Sequence, residues 1–359
     1  MSKLDAKIII KKKQNSINGF NNNYVIFTIN GKDINNIILN TLRRIILTLV
    51  PTFAFDPENI IIEKNTSVYN NDYMRLRLSN LPIINQSHKP NEMIIKNDYS
   101  ILNKVLELEE EANTANYENK NNLTKEEEEK RKKNLKNILD NFQIVINAKN
   151  DTSEIIPITT NSDSVKFIID NKQIESIYPN PILFLKLKPQ QSRLNIKGEE
   201  FKASCLSSIN IPLKNAIYQS CLCSYEEINA NKFEFKICSL RQISEEMIIN
   251  YACKIIIMKL EKIKEKIINS IKKYDNEDIL KEAQIIIDNE NHTMGNLITR
   301  VIQDHPDIEF CGYNIDHLYV NELTIRYKTN GKNIIDILDI SFDYLINLFN
   351  HLILQIEKL

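Results

Sequence analysis

Two helix-like stretches of this 359-residue chain carry the same ordered pattern, and that repeat constrains the fold more than any other feature. Asn40 is followed four residues later by Arg44, Ile45 and Ile46. Asn296 is followed four residues later by Arg300, Val301 and Ile302. Next come Pro51, Phe53 and Phe55 in the first copy and Pro306, Ile308 and Phe310 in the second, then Asn59-Ile60 and Asn314-Ile315. A slip of one residue before the proline is the only offset. Each copy follows a strand and a turn, and each half closes on a long amphipathic stretch. A unit whose strands and helix cannot bury both faces alone gains by packing against a twin. The pattern predicts an α+β chain in which one fold is used twice and paired within a single polypeptide.

The local signals agree. Asn23 to Asn30 reads as a strand, with Gly31-Lys32 as its turn. From Asp33 to Val50 the apolar residues Ile34, Ile37, Ile38, Leu42, Ile45, Ile46 and Leu49 form a helix stripe, which Pro51 ends. Asn59 to Tyr69 and Pro181 to Gln191 read as strands. Phe233, Phe235 and Ile237 alternate on one face of a further strand. A long helix then starts after Ser244, which caps it, with Glu245 and Glu246 where the helix dipole favours acids. Its stripe runs through Met247, Ile248, Tyr251, Ile255, Met258, Ile263 and Ile267 to Ile271. A second unit follows: a strand near Ile285 to Ile287, a helix from Thr293, the strand ELTIRYKT, and a terminal helix from about Ile334 to Leu359.

Between the two parts of the first unit the character changes. Leu123 to Leu139 reads as a charged helix, with Thr124 and Glu127 as a capping box and four glutamates each four residues before a Lys or Arg. It is either a docking arm or, as charge patterning favours, a solvated helix. The organisation expected is a first unit over 1–83 and 213–272, an inserted, mainly β domain over 84–212, a polar linker at 273–279 and a second unit over 280–359.

Charge excludes some functions. Lys plus Arg (46) nearly cancels Asp plus Glu (47), whereas a chain that grips nucleic acid alone usually shows a basic excess or stripe. Six cysteines without regular pairing point to a reducing compartment. The N-terminal run breaks after three isoleucines and reads as neither signal peptide nor anchor. No stretch approaches the ~20 uncharged apolar residues that a membrane span needs.

The run from His292 to Tyr313 holds two histidines, a cysteine and several acids, so it is the obvious place to look for chemistry. Metal ligands need partners at set spacings, and the chain has no HxxxH, HExxH or CxxC. His292, His305 and His317 therefore read as turn, helix-end or interface residues, and Cys311 as a buried thiol. Cys221 and Cys223 are spaced too closely for a usual zinc knuckle. No P-loop, nucleophile elbow or metal-binding carboxylate cluster is present. No catalytic, metal or cofactor residue is expected.

HTMGNLITRVIQDHPDIEFCGYNIDH with the following LTIRYKT resembles the eleventh subunit of eukaryotic RNA polymerase II and the archaeal L subunit. LNTLRRIILTLVPTFAFDPENIIIEKNTSVYNND resembles the third-largest subunit and archaeal D, relatives of bacterial alpha. PNPILFLKLKPQQ and FEFKICS resemble later parts of that subunit. The similarity covers most of the chain and is weakest from about Ile84 to Ser176. A single-chain fusion of the two resembles the polymerase of a large cytoplasmic DNA virus.

The resemblance implies two alpha-like dimerisation domains forming an intramolecular pseudo-dimer. The role it implies is non-catalytic: a platform on which the largest and second-largest polymerase subunits assemble, beside small zinc-bearing subunits, with DNA met only through the complex and no membrane. It places Asn40, Leu42, Arg43 and Arg44 toward the second-largest subunit and Thr293, Gly295, Asn296 and Arg300 nearer the largest. Arginine suits such a surface because its guanidinium binds carboxylates or carbonyls bidentately, although one of the adjacent pair, pointing to another side of the helix, can instead salt-bridge internally. The long helices are expected to lock the halves through Met247, Tyr251, Ile255, Phe342, Leu345, Phe349 and Leu352. The resemblance further implies host cytoplasmic viral factories and the virion as locations. Departures are Leu76 and Ser79 where the family has His and Gly, Ser239-Leu240 where a glycine often stands, and a missing cysteine cluster between Ile84 and Ile144. The alternative is a fused-dimer DNA-binding transcription factor.

Overall fold

The computed structural model describes residues 6–17, 20–84, 100–116, 142–169, 171–190, 197–240, 242–272, 282–315 and 322–358. The charged stretch at 123–139, the linker at 273–279 and His317 lie outside the described residues.

The first unit is a four-stranded antiparallel sheet. It is built from β1 (Lys7–Ile17), β2 (Phe20–Asn30), β12 (Cys221–Asn229) and β13 (Lys232–Ser239), in the order β1-β2-β13-β12. Phe233, Phe235 and Ile237 lie opposite Ile29, Phe27 and Val25, and all six are buried. This face is covered by helices α1 (Asn36–Leu49) and, later in the chain, α4 (Glu245–Lys272). Ser244 caps α4 as its position suggested, its Oγ accepting from the Met247 amide at 3.3 Å.

The second unit has strands β14 (Glu282–Asp288), β15 (Ile308–Asn314) and β16 (Glu322–Thr329) in the order β14-β16-β15, with helices α5 (His292–Gln303) and α6 (Ile334–Ile356). Matching β2, α1, β12, β13 and α4 with β14, α5, β15, β16 and α6 reproduces both the strand order and the helix placement. The repeat is thus one topology used twice, with β1 an added edge strand. Across the join α4 packs on α6, the most extensive helix–helix contact, and α1 touches α5. β14 meets α4 and β1 meets α6, so each unit's long helix reaches the other's sheet.

Expectations about the insert and about the terminal helix need correction. The insert begins earlier than Ile84: β3 (Thr52–Ala54) pairs with β11 (Ser208–Asn210), and β4 (Ile60–Asn65) pairs with β10 (Glu200–Leu206). The matched segments that begin at Pro51 and Pro306 therefore diverge after the helix. In the second unit the chain enters β15 directly, whereas in the first the equivalent edge strand β12 arrives only after the insert. The strand expected to run from Asn59 to Tyr69 ends at Asn65, because the Asn65 side chain accepts from the Ser67 amide and turns the chain toward helix α2 (Asn71–Ser79). Second, α6 is by length and composition apolar enough to cross a membrane. Its apolar face, however, including Phe342, Leu345, Phe349 and Leu352, is buried, and it packs against α4.

The insert's main sheet runs β4-β10-β5-β7-β8, with β5 at Phe142–Lys149, β7 at Val165–Ile169 and β8 at Lys172–Ile174. A smaller pair joins β6 (Ile156–Thr159) to β9 (Leu183–Leu187). Phe142, Ile144, Ile146 and Ala148 alternate inward on β5, against Phe201, Ala203 and Cys205 on β10, as a sheet with one buried face requires. Helix α3 (Ser100–Asn116) lies on α4 through Leu102, Val105, Leu108 and Ala112.

Candidate subunit interface

Helix α1 begins at Asn35, whose Oδ1 accepts from the Ile38 amide at 3.0 Å. Its inward stripe of Ile38, Leu39, Leu42, Ile45, Ile46 and Leu49 is buried. Leu42, named above among the interface residues, therefore belongs to the core. What faces outward is Asn36, Asn40, Arg43, Arg44 and Leu47, exposed or half-exposed. Asn40 Oδ1 accepts from Arg43 Nε at 3.2 Å and Nη2 at 3.0 Å. That chelate holds Arg43 along the helix, while Arg44 is exposed and forms no ion pair with a described residue.

The second copy shows the same stripe. Asn291 caps α5 by accepting from the Thr293 amide at 2.8 Å, so His292 is the first helical residue and Asn291 does the capping. His292, Asn296 and Arg300 are exposed at intervals of four, matching Asn36, Asn40 and Arg44. Arg300 is braced by Asp304 at 3.2 Å. Thr293 and Gly295 are buried and serve packing: a Cβ on Gly295 would lie 2.7 Å from Leu323 and 2.8 Å from Tyr313. Glycine here lets α5 settle onto its sheet. The counterpart of Arg43 is Thr299, buried, with its hydroxyl donating to Gly295 O at 2.7 Å.

Beside Arg43 the first unit holds a feature that sequence reasoning missed. A mostly apolar groove of about 460 Å³ is lined by Tyr24, Leu47, Leu222, Cys223, Ile237 and Cys238. Leu222 at its rim is 59% exposed, and the Arg43 charge reaches the Cys223 thiol. The only signal in the sequence was an apolar residue, Leu47, one turn beyond Arg43 on the outward stripe. In the second unit Gln303 takes this place, and its side chain accepts from the Cys311 amide at 2.6 Å.

The seam between units is apolar inside and polar at its margin. Ile255, Phe342, Leu345, Phe349 and Leu352 are essentially inaccessible, Tyr251 nearly so, and Met247 is half-buried. At the margin Lys264 of α4 meets Asp343 at 2.8 Å and Asp339 at 3.0 Å of α6. Tyr344 donates to Asp33 at 2.9 Å, and His351 Nε2 lies 2.9 Å from Ala6 O.

His292, His305 and Cys311 of the second copy are engaged in packing or turn contacts. His292 sets its ring edge on Tyr313 at 5.8 Å, and His305 Nδ1 accepts from the Asp307 amide at 3.3 Å, closing the turn. Burial pushes the thiol of Cys311 up to about 12 and that of Cys221 up to about 11, so neither is a ready nucleophile. Among the described residues no three His, Cys, Asp or Glu side chains converge as a metal centre would need. Leu76 is exposed, while Ser79 turns inward and donates to Leu76 O at 2.9 Å. Neither Ser79 nor Ser239 has a positive φ, so the glycines expected there are not demanded by backbone geometry.

Sequence comparison matches the family described as the RNA polymerase Rpb3/Rpb11 dimerisation domain over residues 27–260 and, through a second profile of the same description, over 282–355. A DNA-directed RNA polymerase subunit of Acanthamoeba polyphaga mimivirus is 27% identical over 335 residues, 90% of this chain and 87% of the relative. The DNA-directed RNA polymerases I and III subunit RPAC2 of Drosophila melanogaster is 36% identical over 73 residues, 20% of this chain and 70% of that one. The RPB3-11 homologue of African swine fever virus is 32% identical over 117 residues, 30% of this chain and 32% of the relative.

Proposed function

Because this chain belongs to the RNA polymerase Rpb3/Rpb11 dimerisation family, we propose that it is the assembly platform of a multisubunit viral DNA-directed RNA polymerase and performs no catalysis itself. The observation that carries this reading is the duplicated topology: two units of matching strand order, the first with β1 added at its edge, closed on each other by α4 and α6, with α1 and α5 each presenting an Asn–Arg stripe outward. Joining the units in one chain makes their pairing intramolecular, which raises the effective concentration and removes a bimolecular step from assembly.

The α1 stripe with its groove takes the second-largest subunit, and the α5 stripe takes the largest. Arg44 and Arg300 offer guanidinium forks to carboxylates or carbonyls, and Leu47 and Leu222 supply an apolar anchor next to Arg43. Small zinc-bearing subunits complete the particle. Its place of work is the host cytoplasm, in viral factories, with packaging into the virion. The fused DNA-binding factor finds no counterpart among these relatives.

The test is to tag the chain, express it with the other proteins of its genome, and identify by mass spectrometry what co-purifies. Two very large subunits in equal amounts are expected. Recovery of the chain alone, or with DNA released by salt, would sink the reading, since phosphate-driven binding weakens steeply with salt.

A further inference from the structure

One ammonium is shared by three parts of the molecule. Lys259 of α4 is 2% exposed. Its Nζ donates to Glu109 Oε1 and Oε2 of the insert helix α3, at 2.7 and 2.8 Å. Glu290 of the second unit, in the turn between β14 and α5, places Oε2 3.2 Å from the same nitrogen. That oxygen stands within ion-pair distance of the ammonium while Glu109 holds it. An ammonium has three donors, and Glu109 takes two. Glu290 is held ready by its turn, in which Asn289 adopts a left-handed φ of 62° and Asn291 caps α5.

A buried charge stripped of its only partner is strongly unfavourable. A helix held by such a pair would ordinarily be difficult to release. Here release of α3 does not orphan Lys259, because a second carboxylate already stands beside it. The rest of α3's seat includes an apolar stripe on α4 and the pair of Glu110 with Lys262 at 2.5 Å, which is half-exposed and therefore weak. The other charged groups around the site are Lys266 of α4 and Asp288 of β14. With two carboxylates on one lysine the buried trio carries excess negative charge. Burial, followed by the Glu109 charge, pushes the Glu290 carboxyl up despite the opposing pull of Lys259.

We propose that Lys259 is the pivot of an exchange clasp, in which Glu290 competes with Glu109 for the ammonium and so makes docking of the insert helix α3 on the pseudo-dimer reversible. In the docked state Lys259 holds Glu109. In the released state it turns to Glu290, and α3 is free to leave α4 while α4 and α6 stay paired. The device acts in the free chain, so it stands whether or not the assembly reading above holds.

Hydrogen exchange of the full-length chain tests it, comparing amides of α3 with those of α4 and α6, which report global opening. In Glu290→Gln, release would leave Lys259 without a carboxylate, so exchange in α3 is expected to slow by roughly tenfold or more relative to α4 and α6. In Glu109→Gln, α3 should exchange faster while the first turn of α5 stays as protected as in the wild type, because Lys259 passes to Glu290. A simple structural cluster would loosen whichever carboxylate is neutralised. Unchanged or faster α3 exchange in Glu290→Gln overturns the proposal, as does joint loss of protection in α3 and α5 in Glu109→Gln.

Discussion

The Oδ1 of Asn40 chelates the guanidinium of Arg43, at 3.2 Å to Nε and 3.0 Å to Nη2, while the neighbouring Arg44 is exposed and pairs with no acid among the described residues. The two adjacent arginines are therefore not equivalent, and their substitutions should separate. Arg44→Ala is expected to weaken capture of the second-largest subunit about tenfold or more with the folded chain unchanged in circular dichroism. Arg43→Ala should weaken it less. A pull-down titration in which Arg43→Ala is the more damaging would reverse the assignment.

The seam between the units rests on fully buried side chains, of which Phe349 of α6 is among the largest. Phe349→Ala removes that ring from a close-packed site and should lower unfolding stability by about 3–5 kcal/mol. Urea denaturation should show the midpoint falling for both units together, since α4 and α6 are shared walls. Loss confined to the second unit would mean that the halves unfold independently.

Gln242, buried just before α4, ties the return of the chain to the start of the insert. Its Oε1 accepts from the Phe53 amide at 2.6 Å, and its Nε2 donates to Phe53 O at 2.8 Å and Ile83 O at 3.3 Å. Gln242→Leu keeps the bulk but orphans buried backbone groups, at a cost of about 2–3 kcal/mol. Thermal unfolding should register this, whereas an exposed substitution such as Leu76→His should leave stability within about 0.5 kcal/mol.

Glu290 gives stability an inverted dependence on pH. Its carboxyl is pushed up, first by burial, so the folded chain holds that proton more tightly than the unfolded chain. Stability contributed by the protonated form is present below the ordinary carboxylate value and lost as pH rises through the raised one. Lys259, whose pKa is also raised overall because its two carboxylates outweigh its burial, loses its contribution only at alkaline pH. As pH rises from about 4 through that raised value, wild type should lose stability relative to Glu290→Gln. A difference that grows toward acid would contradict this.

Much of this architecture was legible before any coordinates. The period of the apolar residues marked α1, α4, α5 and α6, because a helix that buries one face must repeat at three and four. The alternation of Phe233, Phe235 and Ile237 marked β13, and the ordered Asn–Arg–Pro pattern revealed the duplication. These are local properties, written in the spacing of neighbours along the chain. What only the tertiary structure decided depends on residues far apart in sequence. β4 joined the insert because Glu200–Leu206 offered it a ladder, and Leu42, Thr293 and Gly295 turned inward because a packed sheet lay beneath them. The groove beside Arg43 exists because Leu47 and Leu222, 175 residues apart, meet across a helix and an edge strand. Lys259 found Glu109 and Glu290 on two other parts of the chain. A spacing rule reports which face of an element is apolar, but which charge or cavity lies opposite that face is set only when distant segments share the same buried space.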